Sequence, residues 1–130
     1  MASTPQFAAT PNAGSVLVPA TADTSLTAPS NVATVWTAGA SGGKIEEIIC
    51  QGVGTTVAGV VNIFRHDGST YHLVDQFLVT AVTSSTTAVA YRLNKTYENL
   101  LLNASETLRC TITVAGDVSL IKVTALGGSF

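Results

Sequence analysis

From Lys44 onward, apolar and polar residues alternate in short runs. A period of two sends successive side chains to opposite faces of an extended chain, and so predicts β-strands. In "KIEEIICQG", Ile45, Glu47 and Ile49 fall on one face, and Glu46, Ile48 and Cys50 on the other. "TVAGVVNIFR", "TYHLVDQFLV", "TTAVAYRL", "ENLLLN", "ETLRCTITV" and "DVSLIKVTAL" continue the pattern. No long stretch combines the 3.6-residue period of a helix with capping residues. The nearest, "YENLLLNASETL", is punctuated by Asn99, Asn103 and Ser105. Two earlier strands are expected at "SVLVP" and "ATVWTA", where β-branched and aromatic residues cluster. Roughly eight to ten short strands at this spacing predict an all-β sandwich or jelly roll.

The first part of the chain reads differently. The segment from Met1 to Gly43 holds every proline and a single charged residue, Asp23. Such Pro/Ala/Ser/Thr-rich sequence lacks the apolar density for a core of its own. The expected division is an extended N-terminal arm over residues 1–31 and one β-sandwich domain over 32–130. An ordered arm must be tied down, on its own domain or on a neighbour. Gln6 and Phe7 are its candidate contact residues, because an aromatic among small residues is a natural anchor.

Both histidines lie in "FRHDGSTYH", together with Arg65, Asp67, Ser69 and Tyr71. Asp-Gly between two β runs is a hairpin signal. A two-residue loop, Asp67-Gly68, mixes apolar and polar residues on both faces. A three-residue loop, His66-Asp67-Gly68, pairs Ile63 with Tyr71 and Val61 with Leu73, and leaves Asn62 with His72 on the other face. The second register segregates better. It places His66 at the tip, and it sends Asp75 away from His72. A metal site needs converging ligands, and a serine nucleophile needs an adjacent, oriented base in a sheltered pocket. Neither is expected at this tip, and His66 and Asp67 remain as candidate partner contacts. The expectation is no cofactor, no metal and no enzymatic activity.

Composition sharpens this picture. The chain is 46% hydrophobic but only 11% charged, with formal net charge -2. Globular domains carry about 25% charged residues, so this surface is poorly solubilised as a free monomer and hints at assembly. Lys44, Arg65, Arg92, Lys95, Arg109 and Lys122 stand singly. Nucleic-acid binding rests on clustered cations and is not expected. No run approaches the ~18 apolar residues of a membrane span, and the N-terminus lacks the charged and apolar regions of a secretory signal. No membrane partner is expected. Cys50 and Cys110 lack zinc-site spacing, and read as buried free thiols in apolar strands, with a disulfide left open. "GASGGKI" resembles a phosphate loop, but Ile45 stands where Ser or Thr would reach a magnesium ion. Glu46 and Glu47 point to opposite faces of a strand. Trp36 can anchor a partner or a sugar ring, or pack into the core.

The run "WTAGASGGKIEEIICQGVGTTVAGVVNIFRHDGSTYHLVDQFLVTAVTSST" and the closing "NLLLNASETLRCTITVAGDVSLIKVTALGGSF" resemble small virion-associated proteins of tailed bacteriophages. The resemblance rests on a "TAGASG" turn, a "GTTVAGVVNIF" strand, an "HDGSTY" hairpin and a terminal "VTALGGSF", in order over about residues 35 to 130. It implies an antiparallel β-sandwich of jelly-roll type and a structural role as a capsid decoration (cement) protein. That role implies a homotrimer on the outer capsid surface, bound to the major capsid protein, and synthesis in the host cytoplasm. A head-fibre, tail or baseplate module of the same fold, binding host glycans through Tyr71, Tyr91 or Tyr97, is the alternative. A cupin-like enzyme would need two or more converging histidines with a carboxylate.

Overall fold

The computed structural model describes residues 10–130. The expected contacts Gln6 and Phe7 lie outside the described residues. The described chain is all β: β1 (Thr10–Leu17), β2 (Ala33–Thr37), β3 (Gly43–Gly52), β4 (Gly59–His66), β5 (Tyr71–Val79), β6 (Arg92–Leu102), β7 (Thr107–Ile112) and β8 (Ile121–Ser129). They form two four-stranded sheets that pack as a sandwich, in the orders β1-β8-β3-β6 and β2-β7-β4-β5. Every pairing is antiparallel. The pairs are nested: β4 with β5, β3 with β6, β2 with β7 and β1 with β8.

The core is the apolar layer between the sheets. Ile45, Ile48, Cys50, Val123 and Ala125 enter it from the first sheet, and Val61, Ile63, Phe77, Leu108, Cys110 and Ile112 from the second. In β3 a bulge between Ile45 and Glu47 breaks the strict alternation. Ile45, Ile48 and Cys50 therefore all face inward, where the sequence pattern had set Ile45 opposite to the other two. The "TTAVAYRL" and "ENLLLN" runs are not separate strands. Residues 92–102 make one strand, β6, and residues 80–91 connect it to β5.

The expected boundary at residue 31 is also corrected. Residues 10–17 pair with β8 along their whole length, and Val18 joins the core. The sandwich thus begins at Thr10 among the described residues, not at Val32. β1 is an edge strand, which tolerates Pro11. Its Asn12 Nδ2 donates to Thr37 O at 3.0 Å, and Trp36 Nε1 donates to Asn12 O at 3.1 Å. These bonds stitch β1 to β2 across the two sheets. Gly14 permits the approach, because a Cβ there would lie 2.0 Å from the Val35 carbonyl oxygen.

The opposite side of the sandwich is closed by side chains. Asp75 on β5 accepts from Lys95 Nζ at 2.9 Å and from the Tyr97 hydroxyl at 2.6 Å, both on β6. Burial works against the Asp75 carboxylate, but the bonds from Tyr97 and Lys95 outweigh it and lower its pKa. Burial, and then the bond to Asp75, push the Tyr97 phenol well up. Cys50 and Cys110 are free and buried. Burial raises the Cys50 thiol to about 12 and drives Cys110 up as well.

Candidate functional site

The chain direction alternates, so the short turns after β2, β4 and β6 gather at one end of the sandwich. The β4–β5 turn is the hairpin of "FRHDGSTYH". Its loop is four residues long, Asp67 to Thr70, with His66 opposite Tyr71. The three-residue loop expected from the pattern is not adopted. Two features replace it. Asp67 Oδ1 accepts from Ser69 N at 3.0 Å, Thr70 N at 2.8 Å and Ser69 Oγ at 3.2 Å, which shapes the longer turn. A bulge then absorbs Val74, so that Ile63 faces Asp75 while Phe64 faces Leu73. Gly68 takes a φ of 101°, which glycine adopts without strain.

The two histidines diverge. His72 lies opposite Arg65, and its Nε2 is 3.0 Å from Asp67 Oδ2. His66 lies on the other face against Tyr71, with ring centroids 4.3 Å apart. Its Nδ1 accepts from Gly68 N at 3.3 Å, whereas Ser69 Oγ donates to Asp67. The bond from His72, followed by the Thr70 and Ser69 amides, holds the exposed Asp67 carboxyl well below the usual range. Among the described residues no group of three His, Cys, Asp or Glu side chains is placed to hold a metal ion. On the inner side Arg65 pairs with the buried Glu106 at 3.1 Å.

Of the candidate contacts, His66 and Asp67 stand at the hairpin tip and Trp36 does not face outward. Trp36 is 2% exposed within the core, so the partner-contact reading for it is corrected to packing. Its indole N–H is satisfied by Asn12, as a buried tryptophan requires.

The pattern missed a cluster on the outer face of the second sheet. Val61 and Ile63 point into the core, so Asn62, Phe64 and His66 point outward. On β7, Leu108, Cys110 and Ile112 point in, and Thr107, Arg109 and Thr111 point out. Tyr71 completes the group from β5. Arg109 Nη1 donates to the Tyr71 hydroxyl at 2.8 Å and Nε donates to Thr107 Oγ1 at 3.0 Å. Phe64 packs edge-on to Tyr71, with centroids 5.8 Å apart and planes at 82°. Tyr91 is buried and donates to Leu78 O at 2.6 Å, and Tyr97 is committed to Asp75. A groove lined by all three tyrosines is therefore not formed.

At the long-loop end, an open cleft of about 770 Å3 is bordered by Gln51, Arg92 and the hydroxyl-bearing Ser84, Ser85, Thr86 and Thr87. No family model matches the chain, and neither does any curated protein sequence.

Proposed function

We propose that this chain is a structural protein of a tailed-phage virion. It decorates the outer capsid surface as a homotrimer bound to the major capsid protein, and so stabilises the shell. The observation that carries this reading is the ordered resemblance of turns and strands over residues 35–130. Three features of the molecule support it. The fold is a charge-poor β-sandwich. Its nested strand pairing fits a jelly roll of eight strands. The Asp67 carboxylate and its partners Ser69, Thr70 and His72 hold the turn of an exposed hairpin.

The test is to add the purified chain to expanded heads that lack it, and to image the product by cryo-electron microscopy. Decoration gives hundreds of copies on the outer surface and a higher melting temperature of the shell. A handful of copies confined to the tail or baseplate overturns the reading. The contribution of the arm is tested by removing residues 2–9. Removal must stop short of Asn12, whose bonds to Thr37 and Trp36 belong to the fold. Full occupancy by the shortened chain excludes Gln6 and Phe7 as required contacts.

A second reading, a glycan-binding fibre or baseplate module, draws support from the cleft beside Arg92, where hydroxyls of Ser84 to Thr87 stand next to the apolar Ala88, Val89 and Ala90. Retention on a glycan array, abolished by Arg92→Ala, would favour it.

A further inference from the structure

The two outer faces of the sandwich differ in charge. On the first sheet, Lys44, Glu47, Arg92 and Lys122 alternate with core residues and so point outward. On the second sheet the positions that point away from the core are Thr34 and Thr37 of β2, Thr107, Arg109 and Thr111 of β7, and Asn62, Phe64 and His66 of β4; Asn62, Phe64 and Thr111 are fully buried, so the accessible part of the face lies at Thr34, Thr37, Thr107, Arg109 and His66. Tyr71, Leu73, Gln76 and Leu78 complete the face from β5. Arg109 is the single fully charged residue among them, and no carboxylate stands on that face among the described residues. Residues 1–9 contain no Asp or Glu either.

Arg109 is held as if to receive an acid. Its guanidinium carries five N–H donors. Nε and one Nη1 hydrogen are engaged by neutral hydroxyls, Thr107 and Tyr71. The other donors meet no acceptor among the described residues. By contrast, Arg65 is paired with Glu106 and Lys95 with Asp75. The Tyr71 ring lies 5.6 Å from the Arg109 guanidinium carbon, and His66 packs on the same ring. Fixing the side chain in advance removes part of the ordering cost of binding. Around the cation lie Tyr71, the 37%-exposed Leu73 and the exposed Thr34 and Thr37. An Arg and a Tyr ringed by neutral side chains, with Lys and Glu absent, is the composition of an interface centre rather than of a solvated face.

We propose that the outer face of the β2-β7-β4-β5 sheet is the docking surface for a protein partner that seats an Asp or Glu carboxylate on Arg109. This rests on the decoration reading, in which that partner is the capsid shell. A second copy of this chain, meeting it symmetrically through the same face, would offer Arg109 no carboxylate, because that face carries none among the described residues.

The test measures binding to expanded heads lacking the protein. The variants are Arg109→Glu and Thr34→Glu, with Arg92→Glu and Lys122→Glu as controls on the other sheet. Thr34 is exposed and directly opposite Arg109, so Thr34→Glu supplies an internal carboxylate and leaves the arginine and the core in place. Wild-type binding that falls about tenfold or more in both face variants, weakens with added salt, and changes little in both controls supports the proposal. Wild-type binding with Arg109→Glu and Thr34→Glu bound equally well overturns it and leaves the decoration reading standing. Equal losses in the controls also overturn it, by showing a general charge effect. Failure of the wild-type chain to bind at all overturns both.

Discussion

Asp67 is exposed, yet it sets the geometry of its turn. Its carboxylate collects the Ser69 and Thr70 amides and faces His72. Those partners favour the ionised form and depress its pKa. A depressed acid contributes order above its unfolded value, near 3.9, and loses it as pH falls through the lower folded value. In an NMR titration Asp67 should therefore titrate below an ordinary aspartate, and a midpoint at or above ~3.9 would refute this. Asp67→Ala should speed hydrogen exchange at the Ser69 and Thr70 amides without lowering the melting temperature by more than a few degrees. Trp36 behaves oppositely. It is 2% exposed and bonded to Asn12. Trp36→Ala should cost roughly 3–5 kcal/mol, read by urea unfolding. Gly14→Ala should also destabilise, by about 1–3 kcal/mol, because the backbone of β2 must retreat from the added methyl.

At the scale of elements, alternation marked most of the strands and the position of the hairpin. It also pointed to buried free cysteines in β3 and β7, and both thiols are buried and free. What alternation cannot carry is any offset created by a side chain or a bulge. The Asp67 carboxylate lengthens the β4–β5 turn by one residue, and Val74 is then absorbed in a bulge. The changed turn moves Tyr71 from Ile63 to His66, and the bulge then sets Asp75 opposite Ile63. β1 was legible only at its end, where a strand was expected at "SVLVP"; its start was hidden for a different reason. "TPNAGSVL" has a proline, an asparagine and a glycine where a strand would carry β-branched residues. Its place comes from backbone pairing with β8 at an edge. The Arg109–Tyr71 contact needs the registers of β4, β5 and β7 at once, so no local pattern announces it. Because β1 is part of the sheet, a chain starting at Val18 should lose cooperative thermal unfolding. A sharp, unchanged melt would restore the boundary near residue 31.

For the molecule as a whole, the sandwich excludes water from several ionisable groups. Cys50, Cys110, Tyr91 and Tyr97 are all raised, with burial as the first cause in each. A raised folded pKa gives stability that is complete below the unfolded value and lost as pH rises through the folded one. Cys50 alone sets that window from its ordinary 9.0 to about 12. Melting temperature should hold at neutral pH and fall above about pH 9. Cys50→Ala combined with Cys110→Ala should flatten part of that fall. A melting temperature independent of pH up to 11 would contradict this account. The nested strand order also has a consequence in time. β8 lies between β1 and β3, and it is translated after every other strand of the sandwich. Until residues 121–129 leave the ribosome, β1 has no strand to pair with and one edge of β3 stays open. The nascent chain therefore carries unpaired edges until β8 emerges, with the aggregation hazard that entails. Completion of this fold waits on the emergence of β8, and a chaperone that shields β1 and β3 would act in that interval.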